Sequence, residues 1–174
     1  MERADGCQHP RCHSSADRFD RPQGQRATQC AAMAEPFILE LAGGLEWSID
    51  PPHGDAYVRT ARVSIRAVGL KAHTIATFSD GPWDLALFFA QLAADWRGWE
   101  GERHWKALEG ELEVQASHHG ARVLIAVTVR RPHMTFANDA WQARIVLTLE
   151  PGEQLDRVAR DLASTLASDQ ADAR

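Results

Sequence analysis

The connection between a helix and a strand is encoded in residues 92–112, which read LAADWRGWEGERHWKALEGEL. Three of the chain's six tryptophans, Trp96, Trp99 and Trp105, lie in this segment together with three glycines. Large rings beside conformationally free residues indicate a shaped connection that either closes the core or forms a binding surface. The elements before and after this segment therefore decide the fold.

Residues 82–97 have the periodicity of a helix. Five large apolar residues recur at the spacing of a single helical stripe, which predicts that they are buried: Leu85, Phe88, Phe89, Leu92 and Trp96. Four further apolar residues lie about 180° away on the same helix: Trp83, Leu87, Ala90 and Ala94. A helix that is apolar on two sides is covered either by its own chain or by a partner.

Strand patterns flank this helix on both sides. Apolar and polar residues alternate over 37–49 and 57–78 before it, with a loop predicted at 50–55 by two prolines and a glycine, and over 112–116 and 141–149 after it. The stretch 123–129 is apolar on both faces, which predicts a central strand. A last amphipathic helix begins near Gly152. The predicted order is ββββ-α-βββ-α, an α+β fold with a largely antiparallel sheet of about six to seven strands and two helices packed on one face.

The first 32 residues differ in composition from the rest. They contain almost no large apolar residues, which predicts a disordered tail or an upstream extension before a start at Met33. The single α+β domain is predicted over 33–168, and 169–174 as a disordered C-terminus. All three cysteines lie in the tail, where the spacing of Cys7 and Cys12 matches no standard zinc site, so no metal site is predicted.

Composition excludes several classes of function. The chain is 44% hydrophobic and 25% charged, as globular proteins are, and its formal net charge is −5. An acidic protein repels phosphate backbones, so no nucleic-acid partner is predicted. No run approaches the roughly 18 apolar residues of a membrane helix, and no secretory signal is visible, which predicts a cytoplasmic protein without a membrane partner.

The chain resembles a known family in several blocks. These are the run from Leu92 to Gly120, the PHGDAYV stretch at 52–58, the apolar strand at Val123 and the GEQL helix start at 152–155. Together they resemble a family of small, mainly actinobacterial domains of unknown function, the one numbered 6228, over residues 37–162. His119 departs from the family's acidic residue and receives no family role. The resemblance implies no activity and no catalytic residues.

Catalytic motifs are absent from the sequence. It contains neither Gly-x-Ser-x-Gly nor His-Glu-x-x-His, so no catalytic residue and no cofactor is predicted. The leading hypothesis is a non-enzymatic domain that engages a protein partner or self-associates through the second apolar side of the helix. The alternative is a small-molecule-binding or enzymatic pocket at the tryptophan junction, formed by Arg97, Trp99, Glu100, Arg103 and Trp105.

Overall fold

The computed structural model describes residues 35–55, 57–79, 83–131 and 140–167. The predictions for the tail with its cysteines, and for residues 169–174, lie outside the described residues. The described elements are nine strands and two helices: β1 (Phe37–Leu41), β2 (Leu45–Ile49), β3 (His53–Gly54), β4 (Val58–Ala67), β5 (Leu70–Ser79), α1 (Trp83–Ala94), β6 (Glu102–Lys106), β7 (Leu112–His119), β8 (Arg122–Arg130), β9 (Gln142–Leu149) and α2 (Glu153–Ala167).

The first sheet is centred on β4, and all its pairings are antiparallel. β5 pairs with the full length of β4 on one edge, while β2 and then β3 share the other edge, and β1 pairs with β2. Pro51 and Pro52 separate β2 from β3, since proline has no N–H to donate to the ladder. The sequence predicted a loop throughout 50–55, but His53 and Gly54 pair with β4.

The second sheet has the antiparallel order β6-β7-β8-β9. Its strand β8 was predicted to be central because it is apolar on both faces, and it does lie between β7 and β9. All residues from Ile125 to Val129 are buried. The α+β class and the antiparallel pairing are thus confirmed, although the strands of the described part form two sheets and number nine.

The two sheets meet where β5 approaches the turn between β6 and β7. The backbone N–H of Leu108 donates to the carbonyl of Thr77 at 3.0 Å. The Thr77 hydroxyl donates to the buried carboxylate of Glu111 at 2.9 Å, and the Thr74 hydroxyl donates to the carbonyl of Arg130 at 2.9 Å. The first of these bonds uses a backbone carbonyl of β5 and the other two are donated by threonine side chains, and together they join the first sheet to the second.

One continuous core joins both sheets and both helices. Trp47 of β2 is fully buried and lies at its centre, with its ring 5.2 Å from that of Phe37 and 5.6 Å from that of Phe89. Phe89 belongs to α1, so this contact ties the helix to the first sheet. α1 also packs against α2, whose buried stripe includes Leu155 and Leu162.

The predicted burial of Trp96 on the helical stripe is wrong. α1 ends at Ala94, and Trp96 is 45% exposed. The N–H of Asp95 still bonds to the carbonyl four residues earlier, but that of Trp96 bonds to Ala93, only three residues earlier. This tighter last turn, followed by Gly98, rotates the Trp96 side chain away from the stripe.

The assignment of Trp105 to an irregular junction is also wrong. Residues Glu102–Lys106 form β6, which pairs with β7, and Trp105 lies opposite Val114 on the inner side of the sheet. Its side chain is buried and its ring stacks on that of Phe78 at 6.0 Å. The connection between α1 and the second sheet is therefore shorter than the sequence suggested.

Candidate functional site

The helix stripe, which we define as Trp83, Leu87, Ala90 and Ala94, lies on the outward side of α1. Leu87 is 61% exposed, Ala90 and Ala94 are exposed, and Trp83 is half-buried. The opposite side of the same helix is buried in the core, as the spacing predicted. Residues four, three and four apart fall on one face of a helix, so the stripe is continuous over its length of about 18 Å.

Polar side chains border this stripe. Asp84 and Gln91 are exposed on α1, and the carboxylate of Asp84 accepts a hydrogen bond from the N–H of Leu85 at 2.9 Å in the first turn. A negative charge at this end of a helix is favourable because the unpaired N–H groups there carry partial positive charge. Both polar residues lie on the same side of the stripe, and its other side adjoins the buried Ala86 and Ala93.

The tryptophan junction brings Arg103 and Trp99 together. The Arg103 guanidinium donates to the carboxylate of Asp95 at 2.7 Å and lies 4.8 Å from the centre of the Trp99 ring. Since Asp95 follows the end of α1 and Arg103 belongs to β6, this ion pair closes the connection between the two elements. The Arg103 cation is stabilised over the face of the ring, and Arg103 and Asp95 are both engaged by contacts within the fold.

His118, near the end of β7, completes this cluster. Its imidazole contacts the Trp99 ring edge-on at 5.0 Å, and its Nε2 lies 3.2 Å from the carbonyl oxygen of Trp96. Gly98 passes directly beneath the imidazole, and a Cβ at that position would lie 3.3 Å from the ring. The backbone there has a φ of +130°, so glycine is required both for conformation and for space.

The remaining residues of the predicted pocket are not drawn into this cluster. The Arg97 guanidinium lies 4.6 Å above the exposed Trp96 ring, Glu100 is exposed, and Trp105 is part of the core. The indole N–H groups of Trp99 and Trp105 are buried and have no hydrogen-bond partner among the described residues. The junction is thus a packed connection, and its geometry gives no support to the predicted pocket.

Two carboxyl groups in the described part have a lowered pKa. Hydrogen bonds from the backbone N–H groups of Val58 and Tyr57 lower the pKa of Asp55, which closes a turn before β4. Hydrogen bonds from Gln115 and then Arg130 lower the pKa of Glu113. Both groups are therefore held in the charged form, whereas a general acid near neutral pH needs a raised pKa.

A search of the described ranges for metal ligands finds no group of three or more histidine, cysteine or acidic side chains that could hold an ion. In the same ranges, neither helix is long and apolar enough to cross a membrane. The sequence-predicted sites therefore reduce to the helix stripe, which the structure presents outward, and the junction, in which Arg103 pairs with Asp95 and lies over Trp99.

The structure also shows a surface that the sequence analysis missed. On the outer face of the first sheet, two adjoining cavities of about 270 and 340 Å³ share Arg62 and His73. We call them together the sheet groove. The alternation of Arg62, Ser64 and Arg66 along β4 was the available signal, but it is equally typical of a solvated strand face.

Comparison with known proteins identifies one match. The model of a family of unknown function, DUF6228, matches residues 43–169. No curated protein and no solved structure matches the chain. The matched range includes α1, the junction and α2.

Proposed function

The chain belongs to DUF6228, a family of unknown function, and we propose that it is a protein-interaction domain that self-associates through the helix stripe. The observation that carries this proposal is the 61% exposure of Leu87 at the centre of a helix whose other side is buried. Leu87 lies between Trp83 and Ala90 in a contiguous apolar stripe, and an exposed apolar patch of this kind is typical of a surface that a partner covers.

A second copy of the chain fits this stripe because the stripe is complementary to itself. If a two-fold axis relates the two copies and their α1 helices run antiparallel, the axis passes between Leu87 and Ala90. Leu87 of each copy then packs over Ala90 of the other, and Trp83 packs over Ala94. Each large side chain meets a small one, which allows the two helix axes to approach to about 8–10 Å.

The size of the stripe sets the expected strength. A stable complex buries about 800 Å² on each partner, and a stripe of four residues on one 12-residue helix provides only the centre of such an area. Burial of Leu87 contributes about 1–2 kcal/mol per copy. We therefore expect a weak, reversible dimer that forms only at high protein concentration.

The test is sedimentation velocity of the full chain over a concentration series, with the substitution Leu87→Arg. We expect the wild-type chain to shift from monomer to dimer and the variant to stay monomeric, because a charged side chain at the centre cannot be desolvated without a partner. Thermal melts of the two proteins should agree, since Leu87 lies on the surface.

Val68→Arg is the matched control. Val68 is 89% exposed in the turn between β4 and β5, so the same change of chemistry is made outside the helix stripe. This variant should dimerise as the wild type does. A wild-type chain that remains monomeric at high concentration, or equal loss of dimer in both variants, would show that the stripe does not bind a second copy.

A further inference from the structure

We propose that the sheet groove binds an acidic, extended segment of a partner protein. The groove lies on the outer face of the first sheet and is lined by side chains from β2, β4 and β5, with Arg131 and Trp141 at one end. This site is separate from the helix stripe on α1, and it implies a ligand other than a second copy of this chain.

The strand register places the cationic side chains in order. Arg66 of β4 lies directly opposite Lys71 of β5, Ser64 opposite His73, and Arg62 opposite Ile75. Residues paired in this way share one face of the sheet with their Cβ atoms about 5 Å apart. From Lys71 to Ile75 the groove therefore extends about 14 Å, the length of roughly four residues of extended chain.

The balance of charge in the groove is positive. Glu46 is the acidic residue that lines it, and its carboxylate already pairs with Arg66 at 3.0 Å. Arg62 and Lys71 are exposed and have no ion-pair partner among the described residues. Arg66 and Lys71 also repel each other as like charges directly opposite. Because Arg62 and Lys71 lie four residues apart along the groove, one ligand carboxylate would pair with Lys71 and relieve this repulsion, and a second would pair with Arg62.

The wider end of the groove has apolar side chains beside Arg62 and Arg131. Ile75 is 42% exposed and Trp141 is 40% exposed, and both line the wider cavity of about 340 Å³. Large apolar side chains left half in water at the end of a charged groove are suited to an apolar side chain of a ligand. The groove thus fits acidic residues followed by one large apolar residue.

These features favour a peptide over a nucleic acid. The formal net charge of −5 opposes an acidic peptide and a nucleic acid alike, so the arrangement of side chains within the groove distinguishes them. Glu46 lies among the cations and opposes a run of closely spaced phosphates. An extended chain also presents alternate side chains to one face, which matches cations arranged along β4 and β5.

The test uses a fluorescein-labelled, glutamate-rich peptide with one leucine near its end, titrated with the full chain at low salt and followed by fluorescence anisotropy. We expect saturable binding that weakens by about tenfold or more at high salt, because exposed charge pairs are screened. Arg62→Glu and Lys71→Glu should each weaken binding by about tenfold or more.

Arg122→Glu is the matched control, since it makes the same charge reversal at an exposed arginine on the second sheet. It should bind the peptide as the wild type does, and so should Leu87→Arg, which alters only the helix stripe. Trp141→Ala should weaken binding of the leucine peptide but not of the same peptide with serine in place of leucine. Circular dichroism and melts check that each variant is folded.

Three outcomes would overturn the proposal. Equal loss of binding in Arg62→Glu and Arg122→Glu would mean that the peptide responds only to total charge. Tighter binding of a single-stranded oligonucleotide of the same charge would assign the groove to nucleic acid. Absence of saturable binding by the wild-type chain at low salt would show that the groove does not take acidic peptides.

Discussion

Replacing Trp105 and Trp96 separately by alanine tests how the junction is built. Trp105 is 8% exposed and stacks on Phe78, so its side chain removes on the order of 200 Å² from water. At about 25 cal/mol per Å² this burial contributes roughly 5 kcal/mol as an upper estimate. After allowance for the alanine that remains, Trp105→Ala should destabilise the fold by about 3–5 kcal/mol.

Trp96 gives a different expectation although it is only nine positions away. Its ring is 45% exposed, and its described contact is with the guanidinium of Arg97, an exposed cation–ring pair of about 0.5–1 kcal/mol. By the same area coefficient its buried part contributes roughly half of what Trp105 contributes, so Trp96→Ala should cost about 1–2 kcal/mol, clearly less than Trp105→Ala. The two variants form a matched pair, since the same side chain is removed from the same connection.

Urea unfolding at equilibrium, followed by far-UV circular dichroism, measures both values. Trp105→Ala should lower the unfolding midpoint with an unchanged slope, and its thermal midpoint should fall by about 10–20 °C. Trp96→Ala should unfold within a few degrees of the wild type. If the two variants lose similar free energy, Trp96 is part of the core and the tight turn after α1 has been misread.

The pKa of Glu113 is lowered in the folded protein, mainly by the hydrogen bond from Gln115, so its charged carboxylate stabilises the fold. This stability is complete above the ordinary pKa of a glutamate and is lost as the pH falls through the pKa in the folded protein. Glu113→Gln should therefore be less stable than the wild type at neutral pH, and urea unfolding should show the two proteins converging at acid pH. Gly98→Ala should lower the free energy of unfolding by about 1–3 kcal/mol, because its φ is +130° and the new Cβ contacts the imidazole of His118. Gly101→Ala should cost less, because its φ is +73° and a Cβ there meets open space. Equal losses in the two variants would contradict the contact with His118.

Much of the fold could be predicted from local patterns. The alternation along β4 and β9 indicated half-buried strands, and the apolar run in β8 indicated a central one, because burial on both faces removes the polar alternation. The two apolar sides of α1 followed from the helical period, and the structure places Leu87 outward as that period requires. Each of these features follows from a residue periodicity within a single strand or helix.

The tryptophans could not be assigned in the same way. Whether Trp96 continues the stripe depends on where α1 stops, and one hydrogen bond to Ala93 decides that. Whether Trp105 is a loop residue or a strand residue depends on its pairing with Val114, which becomes possible only when β6 and β7 are brought side by side. Both outcomes rest on single contacts that no periodicity encodes.

The residues that share a face of each element could be read from the chain's local pattern, because side-chain direction follows from the backbone period alone. The class of fold, the central strand and the composition of the helix stripe followed from this pattern. The positions of Lys71 and His73 beside Arg62 and Arg66, and of Trp141 at the end of the same groove, emerge when the strands pair and the sheets pack. A binding surface of this kind joins residues some 80 positions apart, and strand register and sheet packing, which are non-local, bring them together.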